Sequence, residues 1–249
     1  MDVHSGTEEK KSPQWDNKLT GELVTTAFGT AQWNKTHPSV RSMTDRPEFC
    51  RYHFHQALDM MNEYIESNLQ QTGVLGVYKN YDVFSYLMLK IRANIVAFVQ
   101  SLHAVVDTCS HMLYYALALE RLPSPLKERN IDGKKVLKLL DQQRDAGHPE
   151  YDKLCRFFRE VTSGDDYKYL HALTNTSKHR SIVRPELNED LTGRRKEKWI
   201  LFLEPFCYAG GSFKKTNAHE FMQKEHDRIQ LLTVVIGVEL NEVLKKCQP

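Results

Sequence analysis

Between Tyr169 and Leu187 the chain reads YLHALTNTSKHRSIVRPEL. Helical spacing there sets His171, Asn175 and His179 four residues apart on one face, with Lys178 beside them. Arg180 and Arg184 follow at the C-terminal end. A neutral imidazole accepts a proton near pH 7 and its protonated form returns one. Lysine and arginine hold a phosphate and offset the charge that develops on it. Together these are the parts for metal-free cleavage of an RNA phosphodiester by its own 2′-hydroxyl. They suit a nucleotide-binding pocket without turnover equally well. Cations in a last helical turn also complement the helix dipole, which is a purely structural use.

A second set of polar side chains lies in ANIVAFVQSLHAVVDTCSHMLYYALAL, Ala93 to Leu119, where Asp107 is the only formally charged residue. Apolar residues from Ile91 to Ala116 gather on one face at helical spacing, and Gln100, His103, Asp107 and His111 lie opposite. The steps of four predict a His103-Asp107-His111 hydrogen-bonded ladder, either lining an interior cleft or forming a satisfied core network. The spacing matches no specific metal motif, so neither metal nor cofactor is expected. The stretch is long enough to span a bilayer, but four polar side chains in its middle predict a buried helix and no membrane partner. From Lys178 to Lys215, nine lysines and arginines stand against five acids, with Trp199, Phe202 and Phe206 among them. A basic, aromatic segment is compatible with RNA contact, and also with a solvated loop and hairpin.

The elements that must position these residues are mostly helical. Residues 1–45, rich in Ser, Thr, Gly and Pro, are expected to be an irregular arm. A helix is predicted from Pro47 to about Gln71, where Phe54, Leu58, Met61 and Ile65 recur at helical spacing. A long helix should run from about Asp82 to Glu120, and shorter ones over Lys134–Asp145 and Glu150–Val161. The helix carrying His171 starts at Asp165 or Asp166 and ends before Pro185. KWILFLEPFCYAGG predicts a β-hairpin at about 198–214. Asn217 with Glu220 predicts a capped helix running to about Lys245. The fold class is therefore mainly α, a helical bundle with a small β-hairpin inserted before the C-terminal helix, and residues 46–249 form one domain.

A net charge of +2 argues for neither nucleic acid nor membrane by itself. Five dispersed cysteines read as reduced thiols, and MDVHSGTEEKKSPQW holds no secretory signal, so the expected compartment is the cytoplasm.

FVQSLHAVVDTCSHMLYYAL followed later by LTNTSKHRSIV resembles the HEPN superfamily of helical bundles, over about Asp82 to Arg184. The resemblance implies a metal-independent endoribonuclease or toxin of a prokaryotic defence or toxin–antitoxin system, acting as a homodimer on RNA. It equally implies a silent member that binds a protein partner or nucleotide. Carried over residue by residue, His179 is the proton-transfer group and Asn175 the polar residue ahead of it; Lys178 and Arg180, read from their own chemistry as phosphate-holding cations, are expected to assist. His171, Arg184, His103, Asp107 and His111 complete the expected binding set. The ribonuclease pattern also requires an arginine ahead of the histidine. Those positions here are Ala172, Leu173 and Thr174.

Overall fold

The computed structural model describes residues 13–248, built around two long helices. α1 spans Asn17–Phe28 and α2 Thr30–Tyr64, the latter extended by a π-helical turn at Ile65–Leu69. The expected irregular arm is therefore corrected: from Asn17 onward it is helical, and residues 1–12 lie outside the described residues. Its stripe, Gln32, Thr36, Val40, Met43, Cys50 and onward, keeps steps of three, four or seven and is buried throughout. The first members are polar, which hides the period, and Pro38 and Pro47 each remove one helical hydrogen bond. Packing against the long central helix outweighs these local costs.

That central helix, α4 (Tyr81–Ala116), follows the short α3 (Leu75–Lys79) and packs along α2. The Cys50 thiol meets the Phe98 carbonyl oxygen, and Phe54 packs on Phe98 at 6.3 Å between centroids. α5 (Gly133–Asp145) is capped by Asp132, which accepts from the Lys135 amide. α6 (Tyr151–Ser163) and α7 (Asp165–His179) follow. α8 (Ala218–Lys246) closes the bundle, with the Asn217 side chain accepting from the amides of His219 and Glu220 as its cap. The mainly α class stands as expected.

The β insertion is larger than a hairpin. β1 (Pro185–Glu189), β2 (Trp199–Leu203) and β5 (Thr216–Asn217) make an antiparallel sheet in the order β1-β2-β5. β3 (Phe206–Tyr208) and β4 (Gly211–Phe213) form the hairpin, turning at Ala209 and Gly210, both at positive φ. Pro185 opens β1 at the sheet edge, where its missing N–H costs least. Val183, Leu201 and Leu203 join the core beneath the sheet.

α1 is held by a latch to α8. The Trp15 indole donates to Thr20 Oγ1 (2.9 Å), whose hydroxyl donates to Asn241 Oδ1 (2.7 Å), and Asn241 Nδ2 donates to the Asp16 carbonyl (3.0 Å). Gly237 lies directly under the Trp15 ring, in the space a Cβ would occupy. Gly237→Ala should therefore destabilise the fold by about 1–3 kcal/mol through overpacking, despite alanine's better helix propensity. Urea melts of the two proteins check this, and a more stable alanine variant would refute it.

Candidate functional site

α4 and α7 run antiparallel, and two contacts set their register. Thr174 Oγ1 reaches the Val99 carbonyl oxygen at 3.5 Å, and His171 Nδ1 lies 3.0 Å from His103 Nε2. Leu170, Ala172, Leu173, Thr174 and Thr176 are buried on α7, which turns His171 and Asn175 to a half-buried flank. Asn175 Nδ2 donates to the His171 carbonyl oxygen at 2.8 Å, and its amide lies 3.2 and 3.3 Å from the two ring nitrogens.

The buried environment determines the tautomers. His103 is 8% exposed and its Nδ1 is buried without a partner. A buried N–H left unpaired costs about 1–3 kcal/mol, so the proton belongs on Nε2, which donates to His171 Nδ1. Burial holds the His103 pKa down to about 4, and positive charge on His171 or Lys178 pushes the same way. His171 is lowered too, by burial and then by Lys134, against an opposing pull from Asp107. Both rings are neutral near pH 7.

Aromatic side chains enclose the pair. Tyr167 stacks on His103 at 6.0 Å and 17° and lies 5.6 Å from His171, while Tyr208 meets His171 edge-on at 6.0 Å. The Arg180 guanidinium sits over the Tyr208 ring at 5.8 Å. Tyr167 and Tyr208 escaped the sequence reading. Tyr167 stands four residues before His171, a signal that could have found it, whereas Tyr208 arrives from the hairpin with no local cue.

The expected His103-Asp107-His111 ladder does not form. His103 turns to α7, and Asp107 makes no hydrogen bond among the described residues. Asp107 and His111 instead share a shallow groove with Pro38, Ser42, Arg46 and Ala104. Surrounding protein raises the Asp107 carboxyl pKa, opposed by Lys178, His111 and Arg46. The cleft expected between His103 and Asp107 is therefore corrected: His103 is buried against α7 and supports the site from behind.

Lys178, His179, Arg180 and Arg184 are all exposed, and His179 makes no hydrogen bond or ring contact among the described residues. Acids of the β insertion are committed to other cations, while the Asp107 carboxyl feels Lys178 without pairing to it. Glu186 pairs with Lys215 at 2.7 Å, Glu189 with Lys198 at 3.1 Å and Asp190 with Arg195 at 4.0 Å. Among the described residues, no ion pair involves Lys178, Arg180 or Arg184. The positions where the ribonuclease pattern needs its arginine, Ala172, Leu173 and Thr174, are at most 2% exposed, so none of them faces solvent.

Among the described residues no three His, Cys, Asp or Glu side chains converge as a metal site would require, and no helix is long and apolar enough to cross a membrane. Comparison with protein-family models, with curated proteins and with solved structures finds no match for this chain.

Proposed function

We propose that this chain is a cytoplasmic, HEPN-like helical module that binds RNA as a homodimer, through the C-terminal end of α7 and the β3–β4 hairpin. One observation carries the reading: Lys178, Arg180 and Arg184 lie exposed without acidic partners beside the half-buried rings of Tyr167, His171 and Tyr208. Unpaired cations hold the phosphates and release counterions, and the rings stack on bases without reading sequence. His103 and Asn175 fix the orientation of His171 from behind. Fluorescence anisotropy with a labelled single-stranded RNA tests this. Binding in low salt that weakens steeply as salt rises is expected, and RNA affinity equal to that of a neutral polymer would refute it.

Cleavage is the second reading, favoured by the exposure of His179, whose ring is free of intramolecular partners among the described residues and open to a ligand. His179→Ala should then abolish cleavage of RNA in the presence of a metal chelator. Its melting temperature should stay within about 1–2 °C of the parent, because an exposed, uncontacted ring contributes under about 0.5 kcal/mol. Binding without cleavage in either protein would leave a silent, RNA-holding module, as the buried arginine positions favour.

A further inference from the structure

α4 is the central helix, yet one of its faces stays open to solvent along its length, bordered by α2 at Met60 and Glu63 near one end and at Pro38, Ser42 and Arg46 near the other. Along that face, from Tyr86 to His111, residues recur at alternating steps of four and three, and none is buried. Of these eight positions Tyr86, Ala93, Ala97 and Ala104 are apolar or small and Lys90, Gln100, Asp107 and His111 are polar, so a second helix laid on the face meets small and charged side chains in turn. Large apolar side chains flank it in solvent, Tyr86 at 63%, Val83 at 59% and Leu89 at 53% exposure. These three exposed apolar side chains cluster in the first turns of α4, at one end of the face.

The repeat reads the same from both ends. Laid antiparallel against a copy of itself about a point between Phe98 and Val99, each position meets its complement. Lys90 meets Asp107, Tyr86 meets His111, Ala93 meets Ala104 and Ala97 meets Gln100. Neither the Lys90 ammonium nor the Asp107 carboxylate has an ion pair within the chain among the described residues. The small side chains fall at the centre, where two helix axes must approach to about 8–10 Å, and the rings fall at the ends. A parallel pairing would instead oppose Lys90 to Lys90 and Asp107 to Asp107, at a cost.

We propose that the partner for this face is a second copy of this chain, docked as an antiparallel α4–α4 pair in that register. The inference rests on the homodimer named above and assigns its interface. An isologous twofold contact requires a self-complementary patch, which the Lys90–Asp107 and Ala93–Ala104 relations provide. It also places the candidate site. α7 joins one flank of α4 at Val99 and His103, and α2 joins the other at Asn94 and Phe98. A twofold axis perpendicular to the plane of the two α4 axes leaves each flank on its own side. Both α7 ends, with Lys178 and Arg180, therefore border one shared basic furrow.

Light scattering on the RNA-free protein and disulfide trapping test the register together. The trapping uses a Cys207→Ser, Cys247→Ser background, which leaves only the buried native thiols Cys50, Cys109 and Cys155. A mixture of Ala93→Cys and Ala104→Cys chains should cross-link as a heterodimer, while either alone should not. Lys90→Glu should weaken dimerisation by about tenfold or more, and adding Asp107→Lys to it should restore the dimer. The proposal is overturned by a wild-type protein that is monomeric at its highest soluble concentration. It is equally overturned by Lys90→Glu dimerising like the parent, or by Ala93→Cys cross-linking to itself. Because no RNA is present, failure here leaves the RNA-binding reading to its own assay.

Discussion

Lowering the pH from 7 to about 4.5 should cost the fold about 2 kcal/mol through His103 alone. An ordinary histidine titrates near 6.5, whereas burial holds this one near 4 in the folded state. Between these values the unfolded chain binds a proton that the native protein refuses, so stability rises with pH across the window and falls as pH drops through it. Below about 4 both states are protonated and the loss levels off. His171 is lowered as well and adds in the same direction. Urea denaturation of the parent and of His103→Leu at several pH values measures the effect. The leucine variant removes the titrating group while filling most of its volume, so its stability should vary far less between pH 6.5 and 4.5. Equal pH dependence in both proteins would mean that His103 is not held neutral by burial.

The second large effect concerns RNA. Replacing Lys178, Arg180 and Arg184 together with alanine should lower affinity for single-stranded RNA by about 100-fold at low salt. The slope of log affinity against log salt should shrink by about 2, since each phosphate contact on a single strand contributes about 0.7. All three side chains are exposed and without ion pairs, so the melting temperature should hold within a few degrees. Arg180 carries an additional role, because its guanidinium lies over Tyr208 and positions that ring beside His171. Arg180→Lys should therefore recover the salt slope more fully than the affinity. An unchanged slope in the triple variant would remove the α7 end from the binding surface. Taken with the α4 pairing, the triple change deletes six cations from one furrow, which is why its effect should exceed that of any single substitution.

Most helices are legible in the sequence, because their apolar side chains recur at 3.6 residues and their ends carry Asp165, Asn217 or a glycine. α4, α5, α6, α7 and α8 lie where periodicity and capping place them, within a few residues. α1 and the first half of α2 were not legible. Their buried stripe begins with Thr20, Gln32 and Thr36, which only partners elsewhere make favourable to bury: Asn241 for Thr20, and the Tyr115 carbonyl and Glu120 for Gln32. The sheet was half visible, since β1 carries Glu186, Asn188 and Glu189 and acquires its pairing from Ile200 and Phe202.

By itself the sequence determined that His171, Asn175 and His179 share one helix and that its end carries Lys178, Arg180 and Arg184. Helical geometry makes i, i+4 neighbours regardless of what surrounds them. Only the tertiary structure decided what each does. Antiparallel packing of α4 on α7 spends His103 and His171 on one another and draws Asn175 toward them. His179 is left in solvent, and Asp107 and His111 fall into a separate groove. The pairing of hairpin acids with hairpin lysines and arginines likewise selects which cations remain free. The first outcome depends on a contact between residues 68 apart, about which local spacing carries no information, and the second on which residues the strands of the β insertion bring opposite one another.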